Sequence, residues 1–275
     1  MKRILSGDVS RRLASLGQAS ELLVCSDFDG TLAPIAARPE LARLLPCARE
    51  LLHGLARLPQ TRVAILSGRA RDDLRAQAGL DHPVLLVGSH GAEFPGGIAG
   101  EVAGGSAADR QQQLDTLQAA MQRLCAASPG AWVERKPFGL AVHVREADPA
   151  DAARVSAAVR TFLGETPGVK LMDGKAVIEL SLARADKGDA IRWLREDMAG
   201  SPHVFYVGDD VTDEAAFAAL GPADLGIKVG AGATAARHRV ASEHAALAAL
   251  ALLWRRRSAW LAAGAALPRL RDSRA

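Results

Sequence analysis

The sequence predicts an α/β fold: a mostly parallel sheet whose chain is interrupted by a smaller α+β unit. Three observations carry this. Short, continuously apolar runs alternate with helical patterns in the first third, as strands covered on both faces do. The same alternation resumes after Ser181. Between the two, strand-like runs alternate apolar and polar residues, as half-exposed antiparallel strands do.

Leu22–Ser26, "LLVCS", is the first buried strand. Residues 46–58, "PCARELLHGLARL", set Leu51, Leu52, Leu55 and Leu58 on one helical face behind Pro46. "RVAIL", Arg62–Leu66, is a second strand ending in Ser67-Gly68-Arg69, with a polar helix to about Ala78. "VLLV", Val84–Val87, is a third and ends in Gly88-Ser89-His90-Gly91. The glycine-rich 95–106, "PGGIAGEVAGGS", reads as a linker or hairpin. A long helix is expected over 107–127, then strands in "AWVERK" and "GLAVHVR", a helix near 149–164, and strands in "GVKLMDGKAVIELSL". A helix from about Lys187, the strand "HVFYVG" (203–208), a helix from about 212, the strand "DLGIKV" (224–229) and a last helix from about Ser242 restore the first pattern. The expected division is a discontinuous Rossmann-like core at 20–94 and 182–256, an inserted α+β unit at 95–181 and a basic C-terminal tail at 257–275.

The 275 residues are enough to bury a sizeable core. The net charge is +3, but residues 255–275 hold six Arg and one Asp, which is +5 and leaves −2 on the rest. A body of that charge excludes a basic nucleic-acid-binding surface, and the tail reads as a solvated, partly disordered end. Cys25, Cys47 and Cys125 form no CxxC pair and no disulfide framework, which fits reduced thiols in the cytoplasm. The start, "MKRILSGDVSRRLASLG", lacks the continuous apolar core of a signal peptide. The apolar run Ala245–Trp254 is shorter than the roughly 20 residues that span a bilayer. A soluble cytoplasmic monomer is expected, with neither nucleic acid nor membrane as partner.

In a parallel α/β sheet ligands sit beyond the C-terminal strand ends. Four polar groups gather at such positions here: Asp27-Phe28-Asp29-Gly30-Thr31, Ser67-Gly68-Arg69, Lys187-Gly188 at a helix start, and Gly208-Asp209-Asp210-Val211-Thr212-Asp213. Asp27, Asp29, Asp209 and Asp213 would crowd up to four carboxylates at one rim, and uncompensated like charges raise pKa values or destabilise the fold. A magnesium ion relieves this, since it takes a few carboxylates and keeps its other positions for water and phosphate oxygens. Lys187 adds a fixed positive charge, and Ser67 and the amides around Gly30 offer donors. The set suits a phosphoryl group with one carboxylate placed to attack it. Singly, Ser67 also suits a helix N-cap, Lys187 a surface lysine and Asp213 a cap before an Ala-rich helix.

"DFDGT", "SGR", Lys187 and "GDDVTDE" together resemble, in order, the four motifs of the haloacid dehalogenase-like phosphatases. The resemblance implies Asp27 as the nucleophile of an aspartyl-phosphate, Asp29 as general acid and then base, Ser67 as a phosphoryl contact and Lys187 as its neutralising cation. It implies magnesium held by Asp27, Asp209 and the Asp29 backbone carbonyl, with Asp213 supporting it directly or from behind. It also makes the insert a substrate-selecting cap. On the insert's strands Glu134 and Lys136 are two apart, as are His143 and Arg145, and Lys175 and Glu179 are four apart, so each pair should share a face. Leu140, Val142, Val144, Ile178 and Leu180 should face the other way, onto two helices. Such a polar face reads either as solvated ion pairs or as a polyol-binding surface.

"GSHGAE", "VERKPFGLAVHVR", "GKAVIEL" and "GIKVG" resemble the signatures of trehalose-6-phosphate phosphatases, over about residues 20–250. This implies hydrolysis of trehalose 6-phosphate, the final step of trehalose biosynthesis. Sugar contacts are implied from Glu134, Lys136, Arg145, Lys175 and Glu179, with His143 in the same pattern. Gly30 and Thr31 would serve the phosphoryl site, and Gly88, Ser89 and His90 would lie near the cap hinge. Arg69 is read as an anchor for its own loop or helix. Segments 95–105 and 181–186 are candidate hinges for cap closure. Rival readings are a phosphatase for another sugar phosphate such as sucrose 6-phosphate, a phosphohexomutase, and a non-catalytic sugar-phosphate sensor.

Overall fold

The computed structural model describes residues 4–98, 100, 102–103 and 105–264. Helix α1 (Gly7–Leu16) precedes strand β1 (Leu22–Ser26), and α2 (Ala48–Ala56), β2 (Thr61–Leu66), α3 (Arg71–Ala78) and β3 (Val84–Val87) follow. A hairpin of β4 (Glu93–Phe94) and β5 (Gly97–Ile98) leads to α4 (Ala107–Cys125), β6 (Trp132–Lys136), β7 (Gly139–His143), α5 (Pro149–Gly164), β8 (Lys170–Gly174) and β9 (Val177–Ser181). The chain ends its described course through α6 (Lys187–Glu196), β10 (His203–Gly208), α7 (Glu214–Ala218), β11 (Leu225–Val229), β12 (His238–Val240) and α8 (Glu243–Ala262).

The larger sheet is parallel throughout, in the order β12-β11-β10-β1-β2-β3. Alternate residues of β1 feed opposite faces. Leu22 and Val24 pack with Val63, Ile65 and Phe205 under α1, α2 and α8, while Leu23 and Cys25 pack with Ala64, Leu66 and Tyr206 under α6 and α7. Strand order turns outward in both directions from the β1–β10 pair, so the crossovers diverge there and leave a crevice beyond the strand ends. Register places Ser26 opposite Val207, and the Asp27 amide donates to the Val207 carbonyl at 2.9 Å. Asp27 and Asp209 therefore emerge side by side at that crevice.

The smaller sheet is antiparallel, β6-β7-β9-β8. Leu140, Val142, Ile178 and Leu180 bury one face against Leu117, Met121, Val155 and Val159 of α4 and α5. Two chain segments join it to the larger unit, and they lie side by side: Val102 bridges Ala183, and the Ala103 amide donates to the Leu182 carbonyl at 2.8 Å. Of the glycine-rich hinge candidate, residues 99, 101 and 104 lie outside the described residues.

Three features depart from the sequence reading. Helix α1 lies before residue 20 and belongs to the core, burying Val9, Leu13 and Leu16 at helical spacing, with the Ser6 hydroxyl accepting from the Val9 amide as its cap. β12 is a short edge strand whose "HRV" carries no apolar run to announce it. The third is Arg257, the first residue of the expected solvated tail. It is fully buried within α8, which continues to Ala262. Its guanidinium donates to the carbonyls of Ala19, Ser20, Pro59 and Gln60 and to Thr61 Oγ1, tying α8 to the starts of β1 and β2. Backbone carbonyls just before two central strands are acceptors that no residue count reveals. Residues 265–275 of the tail, with Arg269, Arg271 and Arg274, lie outside the described residues. Among the described residues no helix is long and apolar enough to cross a membrane.

Candidate active site

At the end of β1 the Asp27 carboxylate meets Lys187, the first residue of α6, whose Nζ donates to Asp27 Oδ1 at 2.6 Å. The same ammonium donates to Asp213 Oδ1 at 2.6 Å. Asp213 also accepts from the Tyr206 hydroxyl at 2.6 Å, and its Oδ2 accepts the Asp210 amide at 2.8 Å. All of these side chains are buried. Burial works against both charges of the Lys187–Asp213 pair, yet the pair prevails. Asp213 and Asp27 hold the Lys187 ammonium well above its ordinary range, and Lys187 and Tyr206 hold the Asp213 carboxyl below its own. Asp27 behaves otherwise: burial pushes its carboxyl well up, and Lys187 only partly opposes this.

Asp209 completes a group of three. One oxygen from each of Asp27, Asp209 and Asp213 lies within 4.8 Å of the others. Asp209 Oδ1 is buried without a hydrogen-bond partner, and Oδ2 accepts from the ammonium of Lys175. Burial raises this carboxyl too, with Lys175 opposing. An orphaned buried oxygen beside two raised carboxyls is a deficit of positive charge, which a hard divalent cation fits. Gly30 keeps the space open. At φ +80° it sits against the Asp209 carboxylate, and a Cβ there would overlap it.

Asp29 accepts two bonds from Arg69, Nε to Oδ2 at 2.7 Å and Nη2 to Oδ1 at 2.8 Å. Arg69 therefore does more than anchor its own loop. Ser67 is buried, and its hydroxyl accepts the Arg69 amide at 3.1 Å; the N-cap of α3 is Ala70, so Ser67 is not that cap.

The polar face of the smaller sheet closes the opposite side. Glu134 and His143 meet at 2.8 Å across β6 and β7, and His143 stacks on Trp132 with ring centroids 4.0 Å apart. Glu179 lies between Lys136 Nζ at 2.7 Å and His90 Nε2 at 2.6 Å. Burial would raise its carboxyl, but Lys136 and His90 hold it well below the usual carboxylate range. Four of these groups touch the larger unit: Lys136 donates to the Gly68 carbonyl, Arg145 to the Ala36 carbonyl, Glu179 meets His90, and Lys175 meets Asp209. Gly68 has no side chain because the His90 ring occupies the position of its Cβ.

One cleft is thus lined by Asp27, Asp29, Ser67, His90, Glu134, Lys136, His143, Arg145, Lys175, Glu179, Lys187 and Asp209. Gly30, Thr31, Gly88 and Asp213 are buried behind its wall, and Ser89 donates to Glu93 beside it. Gly30, Thr31, Gly88 and Ser89 do not themselves line the cleft. Lys175 was expected on a strand face; it stands in the turn between β8 and β9, beside Ala176 at φ 60°, and reaches the cleft from there. The sequence reading passed over Tyr206, although it is the one tyrosine of the chain and sits in a buried strand, where a hydroxyl needs a partner. It also passed over the loop residues Ile35, Ala36 and Pro39, which line the cleft mouth.

A parallel sheet with acidic strand ends and a lysine at the next helix start, covered by an inserted sheet, defines a capped haloacid dehalogenase-like fold. A B. subtilis haloacid dehalogenase-like hydrolase shares it at TM-score 0.58 and 14% identity, over 84% of this chain and 98% of that one. Within that class the chain belongs to the trehalose-phosphatase family, whose profile matches residues 25–247. A trehalose-phosphate phosphatase of Mycobacterium ulcerans is 36% identical over 231 residues, covering 82% of this chain and 56% of the relative. An uncharacterized glycosyl hydrolase of Mycobacterium tuberculosis is 38% identical over 241 residues, 83% of this chain and 17% of the relative. The chain thus spans about half or less of the length of these curated relatives. Among solved structures, the C-terminal domain of a C. albicans trehalose-6-phosphate phosphatase superposes with TM-score 0.78 at 23% identity, over 92% of this chain and 99% of that one. A trehalose-6-phosphate phosphatase related protein superposes with TM-score 0.66 at 28% identity, over 85% and 97%.

Proposed function

We propose that this chain hydrolyses trehalose 6-phosphate to trehalose and phosphate. The observation that carries the reading is the meeting in one cleft of the Asp27–Lys187–Asp213 cluster with the polar cap face of Glu134, Lys136 and Glu179. Membership of the trehalose-phosphatase family selects the sugar. A carboxylate of Asp27 attacks phosphorus, the bond from phosphorus to the sugar oxygen breaks, and Asp29 protonates that oxygen as it leaves. Asp29 then takes a proton from water, which attacks phosphorus of the aspartyl-phosphate, releasing phosphate and restoring Asp27. Lys187 fixes Asp27 and offsets phosphoryl charge, and Ser67 binds a phosphoryl oxygen. Asp27, Asp209 and the Asp29 carbonyl would hold magnesium, which would supply charge neutralisation at the phosphoryl oxygens. Because three donors already occupy Asp213, we place it behind the metal as the residue that fixes Lys187. Glu134, Lys136, His143, Arg145, Lys175 and Glu179 bind the sugar.

The core at 20–94 and 182–256, extended by α1 and by α8 to Ala262, carries the chemistry, and the insert at 95–181 carries recognition. Opening the cleft requires breaking the Lys136–Gly68, Arg145–Ala36, Glu179–His90 and Lys175–Asp209 contacts, and closing it excludes water from the aspartyl-phosphate. The three free cysteines suit a reducing cytoplasm, and we take the working unit to be a monomer.

Phosphate release from a panel of sugar phosphates, with and without magnesium, tests the reading. Magnesium-dependent release from trehalose 6-phosphate supports it. Preference for sucrose 6-phosphate would move the substrate, an isomeric product with little phosphate would indicate a mutase, and binding without turnover would indicate a sensor.

A further inference from the structure

The guanidinium of Arg69 is fixed on every side before it reaches Asp29. Its Nη1 donates to Asp73 Oδ2 at 2.7 Å, one helical turn on, and Nη2 donates to the Pro39 carbonyl at 2.8 Å. The Phe28 ring lies 5.4 Å from Cζ. Only 7% of the Arg69 side chain is exposed, against 36% for Asp29. A braced, buried fork thus holds both oxygens of a half-exposed carboxylate in the cleft wall.

We propose that Arg69 is the positioning residue for proton transfer, fixing the Asp29 carboxyl where the leaving oxygen departs. This rests on the reading of Asp29 as proton donor. Unclamped, Asp29 would sample several side-chain rotamers, and misplacement of a catalytic group costs rate steeply. A bidentate fork removes that freedom, and lysine cannot reproduce it. When Asp29 carries the proton, one oxygen turns its O–H to the leaving group while the other keeps its bond to Arg69. The phosphorus–oxygen bond breaks, its electron pair stays on the sugar oxygen, and the Asp29 proton neutralises it.

The alternative is a staple that merely joins the Asp29 loop, Pro39 and α3. Leaving-group dependence separates the two. A sugar alkoxide needs the proton in the transition state, whereas p-nitrophenolate departs without it. We would measure kcat/KM of the full chain and of Arg69→Gln, Arg69→Lys, Asp29→Asn and the Arg69→Gln/Asp29→Asn double variant. The substrates are trehalose 6-phosphate and p-nitrophenyl phosphate. The expected loss in Arg69→Gln is at least about tenfold greater on the sugar phosphate than on the aryl phosphate, with part recovered in Arg69→Lys. The double variant should be about as slow as Asp29→Asn alone on the sugar phosphate. Equal losses on both substrates, or losses that multiply in the double variant, would overturn the proposal in favour of the staple. If Arg69→Gln does not fold, Arg69→Lys reads the same ratio. A parent chain inert on both phosphates would sink the hydrolase reading itself.

Discussion

The two walls of the cleft carry similar numbers of charges in different surroundings. On the core rim the side chains of Asp27, Lys187, Asp209 and Asp213 are 7% exposed or less. On the cap face those of Lys136, Glu179, His143 and Glu134 are 12–29% exposed, and Lys175 is at 50%. Rim charges are placed by backbone, at a strand end, a helix start and a turn, and they are short of positive charge. Cap charges neutralise one another across strands and contact the core through flexible side chains. Fixed groups out of water suit electrostatic work on a reacting centre, because they need no reorganisation. Paired groups at a wetter surface suit exchanging partners with hydroxyls.

The rim holds the largest expected effect. Asp27→Asn should cut phosphate release by about 10⁴-fold or more with an unchanged far-UV circular dichroism spectrum; retained turnover would break the division of labour between the walls. Asp213→Ala should cost about 3–5 kcal/mol in urea unfolding, because it strands the Tyr206 hydroxyl, the Asp210 amide and half the compensation of Lys187. A loss below 1 kcal/mol would show that the rim is more forgiving than its burial implies. On the cap, Glu179→Ala should raise KM for the sugar phosphate by about 10–100-fold, mainly in binding, and the loss should exceed that for p-nitrophenyl phosphate. An effect confined to kcat would place chemistry on the cap.

Acid sharpens the same contrast. Glu179 has a folded pKa below its unfolded value of about 4.3, so it contributes stability that is fully present above that value and is lost as pH falls toward the folded one. The stability difference between the parent and Glu179→Gln should therefore be constant near neutrality and shrink below about pH 4, followed by thermal melts. The smallest effect belongs to Arg160 and Asp173, a cap pair whose side chains are 48% and 47% exposed. Arg160→Ala should cost less than about 1 kcal/mol and leave KM unchanged.

Most of the rim could be read directly from sequence, because continuous apolar runs name the buried strands, and Asp27, Ser67 and Asp209 follow their ends immediately. The cap's two faces were legible because parity along β6, β7 and β9 separates Leu140 and Val142 from Glu134 and Lys136. Parity failed at Lys175, where the strand had already turned. Arg69 with Asp29, Tyr206 with Asp213 and Arg257 with four carbonyls were hidden because their partners lie 40, 7 and 197–238 residues away. No local pattern marks which polar group a buried donor will find. α1 and β12 carry weaker signals, a short amphipathic stretch and a three-residue edge strand.

The side-by-side roots of the insert, Val102 with Ala183 and Ala103 with Leu182, bear on modularity. Loop-closure entropy depends on separation along the chain only logarithmically when the ends are held together. For the core, carrying the insert is then little different from carrying a short hairpin at the same place. A graft that keeps those two bridged positions and replaces everything between them should leave the six-stranded sheet standing, so one acidic rim could be presented with many different inserts.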